Sequence, residues 1–271
     1  DLAKLYRDLG VYKTQSGLKT SLSLPVLGEP GFNEGRGSNN WVIAGSHTTS
    51  GKPLLANNPH LALSTPAVWY VTHLKTANTD VIGASLPGIP LVVIGHNSKV
   101  AWGFTNTGPD VQDLYLEQID PSNPTRYKTP TGWQDFETRI ETIAVKGQPD
   151  IKHAVRITRH GPVLSDAQAT HAEVLDLSRF VLALRWSALD QDNRTLVAGF
   201  KAHQAQSVDK LLAAHADNHS PTQNIVMADI QGNVAYKAAG RVPLRGAQND
   251  ISGVAPSLGW DARYDWTGWI A

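Results

Sequence analysis

From Ser38 onward the chain reads as short alternating runs broken by turn residues, and that pattern confines it to a β-rich fold. Residues 11–37, just ahead, are rich in Gly, Ser and Pro, with Glu29-Pro30-Gly31 and Gly35-Arg36-Gly37 near the end. They read as a loose connector, the kind of segment where processing concentrates. The texture changes within Gly37-Ser38-Asn39-Asn40-Trp41. If the Gly37–Ser38 bond is cut, Ser38 becomes an N-terminus. One residue then holds both a hydroxyl nucleophile and a free α-amine whose ordinary pKa is about 7.7–8.0. The amine takes the part that histidine plays in a triad. Taken alone, the same five residues also read as a turn entering a strand.

Residues 1–10 read as a short helix, with Leu2, Leu5, Tyr6 and Leu9 on one face and Gly10 to end it. Alternation predicts strands over 40–44, 53–56, 68–74, 91–95, 100–105, 113–118, 139–145, 153–158 and 181–186. Ser50-Gly51, Pro87-Gly88 and Lys146-Gly147 separate several of them. Val208, Leu211, Leu212 and His215 give 207–216 a helical period, and 225–228 with 234–238 reads as a hairpin. The expected class is α+β, rich in β. No repeat or low-complexity segment interrupts it.

Composition narrows the chemistry. Of the 271 residues 41% are hydrophobic, ordinary for a globular chain with a full core. Lys+Arg and Asp+Glu number 24 each, so no basic footprint points to nucleic acid or an anionic membrane. The sequence has no cysteine, which excludes disulfides, thiolate metal sites and cysteine nucleophiles. No apolar run approaches the roughly 18 residues of a membrane span. The chain begins with Asp1, shows no signal peptide and has a single methionine, Met227, so it reads as an internal piece of a longer product.

Several ordered blocks follow Ser38: 55–60 (Leu-Ala-Asn-Asn-Pro-His), 83–90 (Gly-Ala-Ser-Leu-Pro-Gly-Ile-Pro), Gly95-His96-Asn97, and 101–107 (Ala-Trp-Gly-Phe-Thr-Asn-Thr). Asp110-Val111-Gln112-Asp113, 159–164 (Arg-His-Gly-Pro-Val-Leu), Gln223-Asn224 and 228–233 (Ala-Asp-Ile-Gln-Gly-Asn) complete the series. Together, over roughly 38–271, they resemble the penicillin acylase family of N-terminal nucleophile hydrolases. The resemblance implies an αββα sandwich, incomplete in this chain. Residues 1–37 would be the end of an upstream segment with its spacer, and 38–271 the first part of the nucleophile-bearing chain. It implies a precursor that cuts itself between Gly37 and Ser38. The remaining segments of that precursor would be its partners, and its location periplasmic or secreted.

The resemblance also assigns roles. Ser38 is the nucleophile. The oxyanion is met by the backbone N–H of Asn106 and the side-chain amide of Asn224, which donates without titrating. His60 stands beside the nucleophile and orients the amine, or is a hydrogen-bonded structural histidine. Arg245 corresponds to an arginine near the active site, or forms an ordinary ion pair. Leu61, Ile94 and Phe104 fall at acyl-pocket positions, or in plain core. His96 and His160 read as structural. Asp110, Gln112 and Asp113 offer hard oxygen donors suited to calcium. The family completes that site with an acidic residue from upstream; the chemistry itself needs no cofactor.

The leading expectation is therefore a serine amidohydrolase acting on linear N-acyl amides such as β-lactam amides or acyl-homoserine lactones. Two alternatives remain open. One is an uncleaved, inert precursor fragment, which the 37 residues ahead of Ser38 favour. The other is a β-rich ligand-binding domain, suggested by eight tryptophans.

Overall fold

The alternation of Val100, Trp102 and Phe104 with Ala101, Gly103 and Thr105 makes one strand with two unlike faces, and a layered unit is built around it. The computed structural model describes residues 2–12, 37–61, 64–168 and 170–270. The greater part of the expected connector, 13–36, lies outside them. In chain order the elements begin with helix α1 (Leu2–Asp8) and strands β1 (Ser38–Ile43), β2 (Leu54–Pro59), β3 (Tyr70–Lys75) and β4 (Asp80–Ser85). Then come β5 (Ile94–Asn97), β6 (Val100–Asn106), β7 (Gln112–Asp120), β8 (Asn123–Thr129) and β9 (Gly132–Asp135). Next are β10 (Glu137–Ile143), β11 (Ile151–Thr158), β12 (Gly161–Pro162), helix α2 (His171–Val174) and β13 (Phe180–Trp186). Helices α3 (Thr195–His203) and α4 (Val208–Ala214) precede β14 (Gln223–Asp229), β15 (Val234–Ala239), β16 (Pro243–Arg245), β17 (Ser257–Leu258) and β18 (Trp266–Trp269).

The chain divides into two units. The first takes 25–109 and 190–242. Its main sheet has six strands in the order β15-β14-β6-β5-β4-β3, each antiparallel to the next. Trp102, Ile225 and Met227 on one face bury against Ala202, Val208, Leu211 and Ala214 of α3 and α4. Ser207 caps α4, its hydroxyl accepting from the Lys210 N–H. On the other face lies the β1–β2 ladder, running from Ser38 opposite Pro59 to Ile43 opposite Leu54. The unit thus stacks helices, a six-stranded sheet and a two-stranded sheet.

The second unit takes 1–24, 110–189 and 243–271. It holds the sheet β13-β7-β8-β9, with β17 parallel to β7, and the smaller sheets β10-β11-β12 and β16-β18. Tyr115, Leu116, Phe180, Leu182 and Tyr264 form its main core. His160 is structural, as expected. Its ring stacks on Tyr115 at 3.6 Å, and its two nitrogens lie 2.7 Å from Glu117 Oε1 and 3.0 Å from Asp265 Oδ1. In Gly95-His96-Asn97 the anchoring falls to Asn97. Its amide donates to the His203 and Ala205 carbonyls, and its oxygen accepts from the N–H groups of Lys99 and Val100.

Candidate active site

Ser38 is the first residue of β1, and its hydroxyl lies against the peptide that precedes it. Oγ donates to the Gly37 carbonyl at 2.8 Å. The backbone N–H of His60 points at the same spot, 3.3 Å from Ser38 Oγ and 3.2 Å from Gly37 O. Gly37 has φ +130°, a conformation that glycine adopts readily and other residues do not. His60 enters through its backbone N–H, and its ring lies alongside, with Nδ1 3.8 Å from where a Gly37 Cβ would stand. Nε2 lies 3.0 Å from the Asn58 amide nitrogen and 3.4 Å from that of Asn39. Those amides donate, so Nε2 accepts and Nδ1 carries the proton.

Two asparagines absent from the expected site join this layer to the next. Asn40 and Asn57 face each other across the β1–β2 ladder. Asn57 brackets the Phe104 backbone, accepting from its N–H at 2.8 Å and donating to its carbonyl at 2.9 Å. Asn40 donates to the carbonyls of Asn224 at 3.0 Å and Gly103 at 3.3 Å. Gly103 makes the approach possible: a Cβ there would lie 2.9 Å from Asn57 Oδ1. Polar residues at inward positions of an alternating strand are the signal that marks this pair in the sequence.

Asn106 and Asn224 meet at the end of β6. Gln223 pairs with Asn106 and Asn224 with Thr105 in the β14–β6 ladder. The Asn224 amide donates to Asn106 O at 3.2 Å and Thr105 Oγ1 at 3.3 Å. The Tyr236 hydroxyl donates to Asn224 Oδ1 at 2.6 Å and so fixes which end of the amide is NH₂. The Gln223 amide holds Asn106 Oδ1 at 2.7 Å. Ser38 lies two residues before Asn40, about 7 Å along the strand. Asn40 is itself tied to the Asn224 carbonyl. Gln223 and Thr105 lie in the ordered blocks of the sequence but, like Tyr236, were assigned no role there.

The expected pocket residues are not gathered on one side. Phe104 points into the helix layer, its ring 5.5 Å from that of His215. Ile94 lies on the opposite face, because Gly95 is the residue paired with Trp102. Leu61 is half exposed.

Arg245, Asp110, Gln112 and Asp113 belong to the other unit. Arg245 reaches Asp113 Oδ1 at 2.7 Å, Asp113 Oδ2 at 3.0 Å and Asp110 Oδ2 at 2.9 Å. Hydrogen bonding to Asp113 raises the Arg245 pKa above its ordinary value. Burial raises that of Asp110, against the opposing charge of Arg245.

The geometry thus sets a serine at the start of a strand in one layer and asparagine amides at the strand ends of the next. Comparison with known proteins identifies the class. The family model described as penicillin amidase matches residues 2–271. The chain belongs to that family. It is 38% identical over 237 residues to the acyl-homoserine lactone acylase QuiP of Pseudomonas aeruginosa, covering 86% of this chain and 27% of the relative. It is 32% identical over 241 residues to the penicillin acylase 2 proenzyme of Pseudomonas sp., covering 87% and 29%. The chain thus spans less than a third of the length of these relatives. Among solved structures it matches a thermostable penicillin G acylase from Alcaligenes faecalis. The TM-score is 0.71 at 28% identity, over 86% of this chain and 40% of that one. The α+β, β-rich fold expected from the sequence is therefore the acylase fold.

Proposed function

We propose that this chain carries the nucleophile and the oxyanion donors of an amide hydrolase that cleaves N-acyl amides through Ser38 as an N-terminal residue. The observation that carries the reading is the tie between layers. Asn40 joins the strand that Ser38 opens to the carbonyl of Asn224 itself. Ser38 Oγ attacks the amide carbonyl, and the free α-amine takes its proton. The oxyanion is received by the Asn106 N–H and the Asn224 amide. The amine then protonates the leaving nitrogen, and water hydrolyses the acyl ester.

Residues 1–37 are read as upstream segment and spacer, and Ser38 as the start of the mature chain. While Ser38 is joined to Gly37 its nitrogen is an amide and accepts no proton near neutral pH. Cleavage is read as an acyl shift. Ser38 Oγ bonds to the Gly37 carbonyl carbon, the C–N bond breaks, and the hydroxyl proton passes to nitrogen. Water then hydrolyses the ester, leaving the Gly37 carboxylate and the Ser38 hydroxyl. The Oγ placement and the His60 N–H on the Gly37 carbonyl support this order of events.

The acyl-homoserine lactone acylase is the more similar of the two relatives, so N-acyl-homoserine lactones come first among substrates and β-lactam amides second. A location in the periplasm or outside the cell, and assembly with the remaining segments of a longer precursor, belong to the same proposal. Intact-mass measurement and a sulfonyl fluoride probe test it. The chain from residue 1 is expected as one species of 29.3 kDa that resists the probe. A chain beginning at Ser38 is expected to take one label. Equal labelling of both chains would count against the amine's role.

A further inference from the structure

Asp110 and Asp113 form the segment on which the family resemblance places calcium, and their surroundings decide whether a dication fits. Calcium takes six to eight oxygens at about 2.3–2.6 Å. Here each carboxylate oxygen already accepts a hydrogen bond. Asp113 Oδ1 accepts from Arg245, and Asp113 Oδ2 accepts from Arg245 and from the Trp266 indole at 2.6 Å. Asp110 Oδ2 accepts from Arg245, and Asp110 Oδ1 from the Gln112 N–H at 3.4 Å. Gly253 closes over the group: a Cβ there would lie 2.4 Å from Asp113 Oδ1 and 2.6 Å from Asp110 Oδ2. Arg185, opposite Asp113 in the β7–β13 ladder, brings a second guanidinium to 4.4 Å from the Trp266 ring centroid. Among the described residues no group of three or more His, Cys, Asp or Glu is placed to hold a metal ion. The donor set does not fit calcium.

We propose that the Arg245 guanidinium is the resident cation of the 110–113 loop, replacing a metal ion with a side chain and making the loop indifferent to calcium. A planar guanidinium suits the position because it grips Asp113 with two parallel bonds and still reaches Asp110. It fastens the start of β7 to β16. Asp113 is fully buried, so its charge requires a partner. Removing the arginine leaves two carboxylates beside an indole, a seat for a hard cation. This assignment is independent of whether the chain hydrolyses amides.

Terbium, a luminescent stand-in for calcium, tests the seat because Trp266 beside Asp113 is placed to excite it. Wild type, Arg245→Gln and Arg245→Gln with Asp113→Asn are titrated with terbium under tryptophan excitation. Expected is no saturable signal from wild type up to about 1 mM, the weak end of protein calcium sites. A saturable signal should appear in Arg245→Gln, be competed by calcium, and vanish in the double variant. Saturable wild-type binding that Asp113→Asn abolishes would overturn the assignment. So would a silent Arg245→Gln that keeps the wild-type circular dichroism. If Arg245→Gln does not fold, wild type decides. Silence to terbium and a melting temperature unmoved by calcium or chelator support the assignment, and a shift in either contradicts it.

Discussion

Asn57 and Phe104 are joined as two strands are, a side-chain amide accepting from the N–H and donating to the carbonyl of one residue. The β5–β6 ladder reaches Trp102 and goes no further, so Asn57 completes the hydrogen bonding of β6 beyond it. Asn57→Leu keeps the branched shape and loses both bonds, leaving the Phe104 N–H and carbonyl without their partner. Such a loss costs about 1–3 kcal/mol when the groups are buried. Urea unfolding should show that loss of stability. Gly103→Ala should weaken the same junction, by overpacking, by about 1–3 kcal/mol.

Asn224 is expected to act on the transition state. In the chain beginning at Ser38, assembled with whatever segments activity requires, Asn224→Ala should lower kcat by about 10²-fold or more. Thermal stability and KM should change little. Tyr236→Phe frees the amide to rotate and should cause a smaller fall. An effect of Asn224→Ala confined to KM would assign it to substrate binding.

The layers were more legible than their fastenings. Alternation located β1, β2, β6, β7, β10, β11 and β13 to within a few residues, and the helical period of Val208, Leu211 and Leu212 announced α4. Helix α3 was not expected, because Gly199 lowers helical propensity. That glycine leaves room for Leu91: a Cβ would lie 2.4 Å from Leu91 Cδ1. Strand β4 was missed for a similar reason, since Gly83 reads as a turn yet packs against Gly95 of β5. Strand β9 is exposed, and β8 is polar in sequence apart from Pro124 and the buried Tyr127, so no apolar alternation marked them. At the site, ordered blocks singled out Ser38, His60, Asn106 and Asn224. Asn40 and Asn57 stood inside the quoted blocks but were given no role, because their partners, Asn224 and Phe104, lie 184 and 47 residues away. The pairing of Arg245 with Asp113 spans 132 residues, beyond any local pattern.

The stability of the helix-side core should fall in mild acid. His215 is buried, and neither ring nitrogen has a hydrogen-bond partner among the described residues. Burial, with the Lys237 charge second, lowers its pKa to about 4. The unfolded chain takes up that proton near pH 6.5. The contribution is full above about pH 6.5, declines as pH falls toward 4, and levels off below that. Chemical denaturation of wild type and His215→Phe across this range should give a flatter profile for the variant.

A second acid step belongs to Asp265. Burial alone would raise its pKa, but hydrogen bonds from His160 and Arg159 outweigh it and bring the value to about 2. Its stabilisation is present above the ordinary carboxylate value of about 3.9 and is lost as pH falls toward 2. Asp265→Asn should remove that step and leave the His215 window unchanged. Loss of both steps in this variant would mean that the two units do not titrate independently.

The most direct measurement is peptide mapping of the Ser38-initiated chain after reaction with a sulfonyl fluoride, read by mass spectrometry. The account predicts one adduct, on Ser38, absent when the Ser38 amine is acetylated beforehand and absent from the chain that begins at residue 1. An adduct on another residue, or equal labelling of Ser38 with its amine blocked, would contradict it.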